Sequence, residues 1–210
     1  MLDQLIFCFD IAGTVIFAIT GAVSGIKLRL DMLGVVVFSC TVGVGGGMLR
    51  DTIIGATPAA ALQNEVYLIA CILTGLVLFF ISGRIARHGE IIMYCDAFGL
   101  GVFTAIGAAK GSQYDLGPVG IMLCATLSAV GGGILRDVMS RKIPAVLVSD
   151  FYATASLLGG GMYVFLRKSS LPVFIQFVSV SLTVIIIRLL AIHFHVQLPK
   201  AGRKLHLPLE

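Results

Sequence analysis

The 210-residue sequence has no tryptophan, only six prolines and only 12% charged residues. Soluble domains carry about a quarter of their residues as charges, so a soluble globular domain is excluded. Apolar residues make up 58% of the chain and its mean hydropathy is +1.01, the composition of a protein that crosses a bilayer several times. Without tryptophan, anchoring at the membrane surfaces falls to tyrosine, lysine and arginine. The five cysteines, Cys8, Cys40, Cys71, Cys95 and Cys124, are odd in number, form no Cys-x-x-Cys pair and lie in apolar runs. That excludes a disulfide framework and a zinc site and leaves them as packing residues. A His-Glu-x-x-His run and a Ser-His-Asp arrangement are both missing, so an intramembrane hydrolase is not expected. No Lys-Ser or Lys-Thr follows the glycine clusters, which excludes a phosphate-cradling loop. The net charge of +4 comes with no basic, aromatic-interleaved patch. No enzyme, no cofactor, no structural metal and no nucleic-acid partner are therefore expected.

What is present is apolar run after apolar run. A span needs about 20 apolar residues, and seven stretches approach this: 3–24, 32–54, 65–83, 91–110, 117–140, 150–166 and 171–192. The gaps hold turn and charge signals such as KLRLD, RIARHGE, GSQYDLGP and RKSSLP. The chain reads as one all-α polytopic membrane domain over 1–210. Its opening MLDQ has no basic residue and leads into a run that continues to about Val23, so the first stretch is expected to be a span and not a cleaved signal. Lys27, Arg29, Arg84, Arg87, Arg141, Lys142, Lys200, Arg203 and Lys204 fall on one side, against Lys110, Arg167 and Lys168 on the other. That bias predicts an N-terminus outside, a cytoplasmic C-terminus and a basic cytoplasmic tail over 193–210. Arg188 is expected to snorkel toward the cytoplasmic surface. The terminal Leu209-Glu210 has the character of a cloning remnant and carries no argument.

The sequence repeats itself. Shifted by 86 positions, the separation of Asp10 and Asp96, it superposes Gly13 on Gly99, Phe17 on Phe103, Gly21-Ala22 on Gly107-Ala108 and Gly25 on Gly111. The same shift superposes Gly34 on Gly120, Pro58-Ala59 on Pro144-Ala145, Gly75 on Gly161, and GGGMLRD on GGGILRD. This predicts an internal duplication, with repeats over 5–83 and 91–166 and a seventh span, 171–192, outside them. Three spans per unit would make the second unit enter the membrane from the opposite face, an inverted-topology repeat.

The doubled block carries the chemistry. Three glycines weaken a helix by about 1 kcal/mol each relative to alanine, and they either let the backbone open or let another helix come close. Opened backbone in lipid must be satisfied by protein or water, so kinks at Gly45, Gly46 and Gly47 and at Gly131, Gly132 and Gly133 are expected to face a polar cavity. Arg50, Asp51, Arg136 and Asp137 beside them cost about 2.5–3.5 kcal/mol each inside a span and are candidates for a water-lined path. Neighbours on a helix do not face each other, so partners are sought elsewhere. Depth along the spans pairs Asp10 with Arg50 and Asp96 with Arg136, leaving Asp51 and Asp137 to line the path. Thr14, Ser24 and Lys110 complete a polar wall on the first and fourth spans.

Two GGGxLRD blocks, each on the middle span of a three-span unit, followed by a lone seventh span, resemble the bacterial branch of the trimeric intracellular cation (TRIC) channels over residues 5 to 192. A domain label suggesting glycine transport also attaches to that branch. The resemblance implies a homotrimer in the bacterial inner membrane, each subunit with its own pore lined by kinked second and fifth spans and conducting potassium and sodium. The alternative it leaves open is a secondary transporter of a small zwitterion such as glycine. Where animal members have a Lys-Glu-Val motif tied to phosphoinositide lipids, this chain has GGGxLRD.

Overall fold

A computed structural model describes residues 2–82, 91–148 and 151–194. The described residues form nine α-helices and no strand. They are α1 (Leu2–Lys27), α2 (Met32–Ile53), α3 (Ala60–Gln63), α4 (Val66–Phe80), α5 (Ile91–Gln113), α6 (Pro118–Met139), α7 (Ala145–Val148), α8 (Ala153–Leu166) and α9 (Val173–His193). Five of them, α1 from Ile6, α2, α5, α6 and α9, are long and apolar enough to cross a bilayer. Helices α4 and α8 are apolar but only 15 and 14 residues long. They span roughly 22 and 21 Å at 1.5 Å per residue, less than a hydrocarbon core of about 30 Å. The sequence predicted full spans over 65–83 and 150–166, and the described helices cover Val66–Phe80 and Ala153–Leu166 of them. After α2 and α6 the chain turns back through the one-turn helices α3 and α7, whose first residues are hydrogen-bonded to Asp51 and Asp137, and α4 and α8 follow. The basic tail beyond Phe194 and the arginines Arg84 and Arg87 lie outside the described residues.

Helices α1, α2, α5 and α6 pack on one another in the centre, with α4 against α1 and α2, α8 against α6, and α9 against α5 and α8. Leu100, Val42, Ile121, Val180 and Val184 are fully buried there. Ile69, Leu73, Val77 and Phe80 on α4 and Leu182, Ile186 and Leu190 on α9 are exposed, as lipid-facing surfaces are.

Backbone detail recurs at the 86-residue spacing. Arg29 and Asp115 both adopt positive φ, 56° and 51°, as do Gly55 and Arg141, at 75° and 55°. Helices α1 and α5 end in the same 6→1 closure, Leu30 N to Gly25 O and Leu116 N to Gly111 O, both 3.1 Å, a Schellman arrangement that satisfies carbonyls left over at a helix end. In α4 and α8 the spacing falls to 85. Gly75 packs on Val36 and Ser39, while Gly160 packs on the corresponding Met122 backbone and Ala125, and Gly161 meets only the end of the Met122 side chain. One residue fewer separates Asp137 from Ala145 than Asp51 from Ala60, so the match of Gly75 with Gly161 read from sequence is out of register.

The triplets behave differently from the expected kinks. Both α2 and α6 continue as α-helix through Gly45–Gly47 and Gly131–Gly133, so no opened backbone is present at these positions. Their role is close approach. A Cβ on Gly46 would lie 2.5 Å from the Ser128 carbonyl oxygen, one on Gly132 would strike the Val42 carbonyl oxygen, and one on Gly131 would lie 2.8 Å from the Gly46 Cα. Backbone meets backbone where α2 crosses α6, a contact only small residues permit. Packing compensates the low helix propensity that suggested a break.

Candidate functional site

Close helix crossing at the glycines fixes the ends of α2 and α6 near the other helices, and the charged residues sit one turn further on. Arg50, Asp51, Arg136 and Asp137 are all buried, Asp51 at 1% exposure. In each block the arginine folds sideways onto its own neighbour, Arg50 Nε to Asp51 Oδ1 at 2.8 Å and Arg136 Nε to Asp137 Oδ1 at 2.9 Å. This corrects the expectation that adjacent residues do not pair. Cβ directions diverge between neighbours, but the arginine stem is long enough to curl along the helix surface. The other carboxylate oxygens accept from backbone, Asp51 Oδ2 from Ala60 N at 3.0 Å and Asp137 Oδ2 from Ala145 N at 2.8 Å. Each aspartate thus clips the start of a one-turn helix to the end of a long one.

Of the two pairings expected from depth, one forms. Arg136 Nη1 donates to Asp96 Oδ1 at 2.8 Å. Arg50 Nη1 donates instead to the Ser128 hydroxyl at 3.1 Å, and Asp10 Oδ2 accepts from the Tyr67 hydroxyl at 2.7 Å. The divergence has a residue-level cause. Ser128 corresponds to Val42 at the 86-residue spacing, so Arg136 meets no hydroxyl at the matching place and turns to its carboxylate. Asp10 takes part in no ion pair within 4.0 Å among the described residues.

The expected polar wall divides. Thr14 lines a recess between α1, α2, α4 and α5 together with Asp10, Gly43, Gly47, Arg50, Asp51 and Tyr67. Ser24 is buried and donates to the Thr20 carbonyl within its own helix at 2.8 Å. Lys110 reaches across from α5 to Asp51, Nζ to Oδ1 at 2.7 Å, a partner that sequence depth did not suggest. Tyr67 was also missed, because the 85-residue spacing hides its correspondence with Tyr152. Tyr152 is buried, and the guanidinium carbon of Arg188 lies 4.9 Å from the centre of its ring. Arg188, expected to snorkel, is buried against that ring on the second set of charges. A Cβ on Gly133 would lie 2.8 Å from the Tyr152 hydroxyl oxygen, whereas one on Gly47 would meet Arg50 Nη2 only at ordinary contact distance, 3.7 Å. Between the two sets Phe17 and Phe103 stack with centroids 5.2 Å apart and planes 4° from parallel. Phe103 also borders the recess.

Among the described residues no group of three or more His, Cys, Asp or Glu could hold a metal ion.

Known proteins carry the same construction. The sequence pattern of the family described as Glycine transporter matches residues 7–83 and again 93–168. The UPF0126 inner membrane protein YadS of Escherichia coli K12 is 33% identical over 93% of this chain and 96% of its own length. A UPF0126 membrane protein of Vibrio cholerae is 34% identical over 93% of this chain and 82% of its own. A solved structure described as showing conductance through TRIC cation channels superposes with a TM-score of 0.87 at 31% identity, over 94% of this chain and 98% of that one. The chain belongs to the TRIC family, in its bacterial branch. The TRIC orthologue from Rhodobacter sphaeroides superposes at a TM-score of 0.88 with 28% identity, over 92% of this chain and 100% of its own. These TRIC relatives are channels and not enzymes.

Proposed function

We propose that this protein is a monovalent cation channel, conducting potassium and sodium through a pore inside each subunit of a homotrimer in the bacterial inner membrane. The reading takes the two halves as inverted repeats, with the N-terminus outside and the C-terminus in the cytoplasm. The observation that carries it is the recess enclosed by α1, α2, α4 and α5 of a single chain, lined by Asp10, Thr14, Arg50, Asp51 and Tyr67. Buried charge at that density inside a membrane bundle marks an aqueous path, and a path enclosed by one subunit needs no partner to complete it. Solved relatives at 28% and 31% identity are cation channels, which favours conduction over transport of a zwitterion. The recess has about 20 Å³ of free volume, room for one water and not for a hydrated ion. With the stacked Phe17 and Phe103 behind it, the channel reading takes this conformation as closed.

Planar-bilayer recording of the purified protein tests the proposal. Unitary currents that reverse at the cation equilibrium potential in potassium and sodium gradients are expected. Saturable glycine uptake without unitary current would instead establish a transporter.

A further inference from the structure

We infer that Arg188, on α9 and outside both repeated units, is the counter-charge of the second end, the part Lys110 plays at the first, and thereby sets that mouth's attraction for cations. The inference rests on the channel reading and assigns one residue to each mouth of the proposed pore.

The balance of charge is the first argument. Among the described residues, the charged side chains that are buried or half-buried in the bundle fall into two sets of four. At the first end Asp10 and Asp51 stand with Arg50 and Lys110; at the second, Asp96 and Asp137 stand with Arg136 and Arg188. Each set is formally neutral. The 86-residue shift exchanges Asp10 with Asp96, Arg50 with Arg136 and Asp51 with Asp137. Those three alone would leave one uncompensated carboxylate at each end, and an unbalanced buried charge is costly. The missing cation comes each time from a place the duplication does not copy. Lys110 corresponds to Ser24, which bonds within its own helix, and Arg188 lies beyond both units. At the second end one guanidinium, Arg136, serves both carboxylates.

Geometry places Arg188 there independently. Its guanidinium carbon lies 4.9 Å from the centre of the Tyr152 ring, a contact that favours a cation over the ring face. The hydroxyl end of the same ring enters the cluster. The point where a Gly133 Cβ would stand is 2.8 Å from Tyr152 Oη, 3.6 Å from Asp96 Oδ1 and 3.8 Å from Arg136 Nη2. That hydroxyl has no hydrogen-bond partner among the described residues, whereas its counterpart Tyr67 is tied to Asp10. Helix packing agrees, since Gly101 of α5 abuts Ser181 and Ile185 of α9. Asp96 lies about a turn and a half before Gly101, and Arg188 about one turn after Ile185. Arg188 is 7% exposed, and in a low-dielectric bundle its charge reaches the carboxylates without touching them.

Single-channel recording of the full chain in symmetrical, dilute potassium chloride tests this. Arg188→Gln and Lys110→Gln each leave one mouth with an uncompensated carboxylate, which concentrates cations on that side alone. Each variant is expected to rectify about two- to threefold relative to wild type, the effect of one unit charge acting through water over about 7 Å. The rectification should vanish at about 1 M salt, where the Debye length is about 3 Å. Because the two mouths open to opposite sides, the double variant should lose the rectification and keep a raised conductance. Arg188→Lys, which preserves the charge, should behave as wild type. Unaltered currents in both single variants, or rectification in Arg188→Lys equal to that in Arg188→Gln, would overturn the inference.

Equilibrium unfolding in detergent reads the same coupling without any current. In an Asp96→Asn background, where Arg136 and Arg188 repel, Arg188→Gln should lower the folding constant about tenfold less than it does in wild type. A variant that folds only in that background is the same result in its extreme form, and equal losses in both backgrounds would overturn the inference. Coupling without unitary currents would remove the channel reading and leave Arg188 as the counter-charge; currents without coupling or rectification would do the opposite.

Discussion

Asp51 and Asp137 hold more of the molecule together than their exposure on a sequence map suggests. Each accepts an arginine Nε and the backbone amide that opens a one-turn helix, and Asp51 accepts Lys110 as well. Sequence reasoning placed both in water because Asp and Arg adjacent on a helix offered no partner. What it lacked was the turn after each block, which brings Ala60 and Ala145 back to the carboxylates. The difference between the two ends gives a prediction at this scale. Asp96 is 4% exposed and ion-paired to Arg136, and breaking a buried pair from one side costs about 3–5 kcal/mol. Asp10 loses one hydrogen bond from Tyr67 when that residue is changed to phenylalanine, about 1 kcal/mol. Asp96→Asn should therefore lower the unfolding free energy in detergent several-fold more than Tyr67→Phe, and equal losses in denaturant melts would count against the asymmetric pairing.

Helix-level features were legible in proportion to how far they depend on local sequence. The apolar runs located α1, α2, α5, α6 and α9 closely, since bilayer length sets a period that composition reports. The short α4 and α8 were read as full spans, because composition does not report the one-turn helices α3 and α7 that precede them and are tied to Asp51 and Asp137. The glycine triplets, expected to open the helix, lie in continuous α-helix at a close helix crossing. Low propensity suggested an opened helix, while the α2 and α6 backbones cross at Gly46 and Gly132 with the helices intact. The second role makes a different forecast from the first. If the glycines opened the helix, alanine would straighten it and raise stability by about 1 kcal/mol at each site. If they permit a crossing, a Cβ on Gly46 2.5 Å from the Ser128 carbonyl oxygen must force the helices apart, at about 1–3 kcal/mol. Gly46→Ala and Gly132→Ala are each expected to destabilise by that amount. Gly117→Ala, where a Cβ meets nothing within 4 Å, should change stability by a few tenths of a kcal/mol or less. Thermal unfolding of the three variants separates the two accounts.

At the scale of the whole molecule, the correspondence between halves concentrates at the centre, where the channel proposal puts the barrier. Gly13 approaches the Phe103 ring and Gly99 the Phe17 ring, so each phenylalanine is seated on the glycine that corresponds to its partner's own. The stacked rings are buried, Phe17 at 1% and Phe103 at 3% exposure. They stand between the carboxylates of Asp10 and Asp96, each two helical turns further along its own helix. An apolar constriction between charged vestibules blocks ions by excluding water, and widening it restores wetting and conduction. Truncating either ring removes one side of the stack, and truncating both removes the constriction. Phe17→Ala and Phe103→Ala each forfeit about 3–5 kcal/mol of core packing, so Leu is the better first substitution and Ala is reserved for variants that remain folded. Phe103→Leu, which also borders the recess, is expected to raise open probability in bilayer recordings while leaving cation selectivity unchanged, because the carboxylates that attract the ion stay in place. Phe17→Leu should act in the same direction, and the double variant should exceed either. An unaltered open probability in all three would move the barrier away from the centre, toward the ion-paired Arg136 and Asp96 on the other side of the stack.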